Sequence, residues 1–206
     1  MKILKFTPIA ILSVAAAFAL SSCSKETHLE GQWMGNPERI AHLSGASDAT
    51  ATMTLSFDQP DKKGGTVMLS AVIEVEQGIA SFSTDTPDAP YETSVTATAN
   101  ATGKYVFTDD DYEDIAITLD PGSFSLSVDP SGVTFAQNII DGRQQPVLDS
   151  LAAATAAQWK TILTPAAREL FNRYTAIDDI KIHHDDIMSC EIDDRDYTLR
   201  RVGVPD

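Results

Sequence analysis

The chain has 206 residues, 43% of them apolar, which is enough for one domain with a real core. Thirty acids against 15 Lys and Arg give a net charge of −15. A surface this acidic repels phosphate backbones and anionic headgroups, so nucleic acid and peripheral lipid binding are excluded as its business.

Lys2 and Lys5 give a short positive start, and residues 9–20 form an Ala-rich apolar run. That run is shorter than the ~20 residues a spanning helix needs and has the length of a signal-peptide core. It ends in Leu20-Ser21-Ser22-Cys23, followed by the polar Ser24-Lys25-Glu26. This resembles the lipobox of bacterial lipoproteins. The resemblance implies that 1–22 is a signal peptide and that the Cys23 thiol becomes a thioether to a diacylglyceryl group (the palmitate-type modification). It also implies that 23–28 is a lipidated tether. Three acyl chains, at about 0.8 kcal/mol per buried methylene, would anchor the chain firmly. Ser24 is not the Asp that retains such proteins in the inner membrane, so the outer membrane is favoured, on its periplasmic side or at the cell surface. The Ser-Lys-Glu start resembles that of Bacteroidota surface lipoproteins.

Residues 29–206 read as one domain. Met53, Leu55 and Phe57 alternate with polar residues, as do Val67, Leu69, Ala71, Ile73 and Val75. Such alternation is the mark of half-buried strands. Further strands are expected at 79–83, at Val95–Ala99, at 104–108, at Ile115–Leu119, at 124–128 and at 133–136. Turn chemistry parts them at Pro60-Asp61, Gly64-Gly65, 85–90, Pro121-Gly122 and Pro130-Ser131-Gly132. Residues 147–174 then read as a pair of helices. The first has a stripe of Leu148, Leu151, Ala152, Thr155, Trp159 and Ile162; the second starts at Thr164 with Pro165 in its first turn. Three strands close the chain, at 177–183, 187–192 and 196–202.

Two short features lie at the ends of this domain: Gly31-Gln32-Trp33, and Tyr197-Thr198-Leu199-Arg200-Arg201. They resemble the lipocalin, or calycin, pattern. That resemblance implies an antiparallel barrel of about 8–10 strands with the helical pair inserted before the last three. It also implies that the first-strand Trp33 plugs one end with a basic side chain of the last strand across its indole. Arg201 shares a face with Tyr197 and Leu199, so it is the expected partner rather than Arg200. Gly31, Trp33 and Arg201 are thus the barrel-closing set.

The side chains that attract chemical attention divide as follows. Asp109 to Asp114 is the densest acidic run, but an EF-hand spacing would need Gly at Asp114 and Glu at Asp120, so the run reads as a solvated turn. His183 and His184 would point to opposite faces of a strand, and they read as part of a polar hairpin turn. The four histidines, His28, His42, His183 and His184, show no ligand spacing, so no metal and no cofactor is expected. With Cys23 lipidated, Cys190 stands alone on an apolar strand face and reads as an inert buried thiol. There is no Gly-x-Ser-x-Gly elbow and no phosphate loop.

A non-enzymatic binding or structural module on the cell envelope is therefore the expectation, of the kind resembled by envelope lipoproteins of unassigned function. If it holds a small apolar ligand, the lining comes from Met53, Leu55, Phe57, Val67, Leu69, Ile73, Ile117, Phe124 and Leu126. The alternative is a protein-interaction or inhibitor module docking on another envelope protein.

Overall fold

The computed structural model describes residues 28–40, 43, 46–80, 91–136 and 140–203. The expected signal peptide at 1–22, Cys23, the expected tether up to residue 27, His42 and the expected turn at 85–90 lie outside the described residues. The strands are β1 (Gly31–Met34), β2 (Glu38–Arg39), β3 (Ala46–Asp61), β4 (Gly64–Ala80), β5 (Tyr91–Phe107) and β6 (Ile115–Leu119). They continue as β7 (Ser125–Val128), β8 (Thr134–Phe135), β9 (Ala176–His183), β10 (Ile187–Ile192) and β11 (Arg195–Arg201). A 3-10 turn, Pro130–Gly132, precedes β8, and one helix, α1 (Gln145–Arg173), precedes β9.

All pairings are antiparallel, in the order β1-β11-β10-β9-β6-β5-β4-β3, and β3 returns to β1. Eight strands thus close a barrel, the mainly-β lipocalin-like architecture expected. Alternation fixes the register. In β3, Ala49, Ala51, Met53, Leu55 and Phe57 are buried, while Thr50, Thr52, Thr54 and Ser56 between them face outward.

The sequence reading differs from the fold in three places. The strand expected to start anew at Ile79 is the end of β4, which runs on through Gly78 to Ala80 with only a register shift between Val75 and Gly78. The strands expected at Val95–Ala99 and 104–108 are one continuous strand, β5. Gly103 bridges them: a Cβ there would stand 2.4 Å from the Thr118 carbonyl oxygen, so only glycine allows β6 to pair at that point. The expected pair of helices is also one helix of 29 residues, with Pro165 inside it. An internal proline removes one backbone hydrogen bond and costs about 3 kcal/mol. Against that, Thr155, Ala156, Trp159, Leu163, Ala167, Leu170 and Phe171 form one buried stripe running through the proline. Several large apolar side chains, each contributing about 1.5–3 kcal/mol on burial, outweigh the broken bond.

Helix α1 packs on β7, the 3-10 turn and parts of β5 and β4. Its Trp159 indole is fully buried and donates to Thr93 Oγ1 at 3.4 Å. The buried residues of helix and barrel form a single hydrophobic cluster. Two ends can be distinguished. At the basal end lie Gly31, Asp61, Gly64, Phe107 and Arg201; at the helix end lie β2, the C-terminus of α1 and the β10–β11 turn.

Candidate functional site

At the basal end the chain enters through Leu29, which is fully buried, and turns into β1. Trp33, also fully buried, donates its indole N–H to the Leu29 carbonyl at 2.7 Å. The ladder sets Arg201 opposite Trp33, on the inward face, and Arg200 opposite Met34, on the outward one. The Arg201 guanidinium carbon lies 4.3 Å from the Trp33 ring centroid. Its Nε donates to the Asp185 carbonyl at 2.7 Å and its Nη1 to the Glu30 carbonyl at 2.6 Å. Gly31 has a φ of 113°, and a Cβ there would meet Arg201 Nη1 at 2.8 Å. The glycine of the Gly-x-Trp motif therefore makes room for the arginine that covers the tryptophan.

The nine residues named as a ligand lining divide by position. Met53, Leu55, Phe57, Val67, Leu69, Ile73 and Ile117 come from β3, β4 and β6, with exposures of 5% or less. Leu126 lies on β7. Phe124 precedes it and is partly buried, edge-on to Phe171 at 5.8 Å and under the Arg168 guanidinium at 4.1 Å. All nine belong to the one cluster or pack against it. Tyr105 shares the basal interior, edge-on to Phe57 at 5.1 Å. Its hydroxyl has no hydrogen-bond partner among the described residues. Burial pushes its ionisation well up, and Asp58, Asp61 and Glu30 add to the effect.

The helix end holds a polar assembly that sequence reading missed. Glu38 Oε1 accepts the Tyr174 hydroxyl at 3.0 Å, and its Oε2 accepts the Tyr197 hydroxyl at 3.1 Å. Arg173 Nη2 stands 3.7 Å from Oε2. Tyr174 is 1% exposed, and the two phenol rings meet edge-on at 6.1 Å. Burial first, then the Glu38 charge, pushes both phenols up, so each stays a donor. One carboxylate thus ties β2 to the end of α1 and to β11. No local signal marks Glu38, because its partners lie 136 and 159 residues away.

Beside this tie is a groove of about 670 Å³. Ile40, Leu43, Ile162, Pro165 and Leu170 give it apolar walls, and Arg39, Arg173 and Arg195 line it with guanidinium groups. Glu169 and Asp193 stand at it too.

The remaining clusters serve the backbone. Asp109 is partly desolvated, which alone would raise its pKa, but the N–H groups of Glu113 and Asp114 donate to it and hold it below the usual carboxylate range. Asp114 Oδ1 accepts the N–H of Asp179, pinning the acidic loop to β9. His184 and Asp185 form the β9–β10 turn at φ of 54° and 63°, and His183 Nε2 lies 3.1 Å from Ser189 Oγ. Among the described residues, no three His, Cys, Asp or Glu side chains gather as a metal site.

Cys190 is 4% exposed, and burial pushes its thiol up to about 12. The reactive thiolate should therefore be nearly absent in the folded chain at neutral pH. We expect a maleimide or Ellman's reagent to leave Cys190 unlabelled at pH 8 and to label it promptly in urea. In the folded state, labelling should rise only as pH passes well above the ordinary thiol value of 9.0. Fast labelling of folded protein at pH 8 would contradict the burial.

No family model, curated protein or solved structure matches this chain.

Proposed function

We propose that this chain is a lipid-anchored, non-catalytic module of a bacterial cell envelope, most consistent with the outer membrane, whose task is binding or structural support. The β-barrel fold suits a ligand-binding or structural module. The observation that carries the reading is the Trp33–Arg201 closure. It matches what the lipocalin-like resemblance implies, and it stands at the end of the barrel from which the chain leads back to Cys23. The polar groups with the most contacts also favour binding over turnover: Arg201 is fixed by two carbonyl groups and Glu38 by two phenols. A small apolar ligand in the barrel would have to displace side chains of the packed cluster. Its presence is tested by native mass spectrometry of the purified chain, where a consistently empty domain counts against it.

The anchor has a sharper test. Expressed in full in a bacterium fed labelled palmitate, the chain should take up label and sediment with membranes. Cys23→Ser should abolish the label and release the protein from the pellet or leave its signal segment uncleaved. An unlabelled wild-type protein would sink the lipoprotein reading.

A further inference from the structure

We propose that the outer face of β3, β4 and β5 is a contact surface for a second copy of this chain, which pairs with it as a weak, two-fold symmetric dimer. Three cross-strand rows span this face, at Val72, Ser70 and Met68 of the central strand β4, and their members on β3 and β5 are Thr, Ser or Asn. No row carries a charge, on a chain with 30 acids and 15 Lys and Arg. Met68 and Val72 are 39% and 43% exposed. Helix α1 meets β5 from the inside, at Thr93, and leaves these rows uncovered.

Charge restricts the occupant. Two copies of net charge −15 repel each other, so they can meet only where carboxylates are not set against carboxylates. The rows offer no cation to an anionic partner and no acid to a basic one. Strands β3, β4 and β5 are paired on both sides here, so no free edge is presented to an added strand.

The rim selects a second copy. Beyond Val72 the next row holds Glu74, and beyond Met68 the next row holds Thr66 with Lys104 beside it on β5. Ser70 is midway between Glu74 and Thr66. Give one copy half a turn about an axis that crosses the strands at Ser70, and lay it on the other. Ser70 then meets Ser70, Val72 meets Met68, and Glu74 lands one strand from Lys104, every contact occurring twice. At ~3.3 Å per residue and ~4.8 Å per strand, residues 66–74 of three to five strands make about 400–600 Å² of face per copy. Two copies together bury about 800–1,200 Å², the size of a weak, reversible pair. The face lies on the flank of the barrel, between the basal end and the helix end, so copies held side by side by their basal ends would turn it toward one another. Only this last point rests on the anchored-module reading.

The test is cross-linking of the full chain in intact cells with a mild thiol oxidant, followed on a non-reducing gel. Ser70→Cys should give a covalent dimer that the parent chain lacks, and Thr198→Cys, on the outer face of β11, should not. Within the Ser70→Cys chain, Glu74→Lys and Lys104→Glu should each reduce the dimer about fivefold or more, because each sets like charges together. Both changes at once should restore it to within about twofold. Inside one copy these two side chains stand about 26 Å apart along the strands, so restoration can come only from a second copy. No Ser70→Cys dimer, an equal dimer with Thr198→Cys, a failed restoration or a link to a protein of another mass would each overturn the proposal. None of these outcomes touches the palmitate experiment, which judges the anchored-module reading separately.

Discussion

Trp33→Ala should lower the stability of the domain by about 4 kcal/mol, the largest effect of any single substitution at the ends of the barrel. Two losses combine. A fully buried indole leaves a void among Leu29, Leu55 and Arg201, which its ladder partners cannot fill without breaking register. The Arg201 guanidinium also loses the ring face beneath it, 4.3 Å away. A chain of this length should show a fall in melting temperature of about 10 °C. Arg201→Met keeps the stem and removes the charge, the stack and the two carbonyl contacts, and it should cost about 2 kcal/mol. In a double-mutant cycle the two changes should be clearly sub-additive. Strict additivity in urea unfolding would mean that tryptophan and arginine merely lie near each other.

Glu38→Leu should destabilise by about 3 kcal/mol, although Glu38 is a partly exposed residue on a two-residue strand. Hydrogen bonds to a charged acceptor contribute about 1.5–3 kcal/mol each, and the substitution strands the phenol of Tyr174, which is 1% exposed. Glu38→Gln keeps one acceptor oxygen and should cost about half as much. Tyr174→Phe and Tyr197→Phe should each cost about 1 kcal/mol, with the larger loss at the more buried Tyr174. The Arg173 contact at 3.7 Å contributes little to this sum. A Glu38→Leu protein that melts like the wild type would show that the tie does not hold the helix end together.

The barrel was legible because its strands alternate cleanly, as at Met53, Leu55 and Phe57, and because a closed sheet puts its first and last strands side by side. Trp33 and Arg201 could be paired from motif and face alone. The helix was divided in two because Pro165 is a local signal, whereas its buried stripe is satisfied by tertiary contacts the sequence does not display. The continuity of β5 is likewise tertiary: at Gly103 the Thr118 carbonyl of the neighbouring strand leaves no room for a Cβ, a contact the sequence does not display. Glu38 and the arginine groove were out of reach altogether. Arg39, Arg173 and Arg195 have no common period or spacing, and they meet only because β2, α1 and β11 end at the same place.

The contact between Arg201 and the Glu30 carbonyl joins residues 171 positions apart. It therefore has a place in time as well as in space. A chain that emerges from its amino end presents β1 first, and β1 can pair with β3 early, but its other edge stays bare until the final strand arrives. The β9–β10–β11 meander needs only short turns and can form by itself at once. Pulse-labelled hydrogen exchange during refolding should thus protect the β10–β11 amides before that of Val202, which donates to Gln32 across the seam. Simultaneous protection would mean that the seam forms with the meander. A chain stopped short of its last strand would hold an exposed edge on β1 and an uncovered Trp33, the kind of surface that proteases and chaperones recognise.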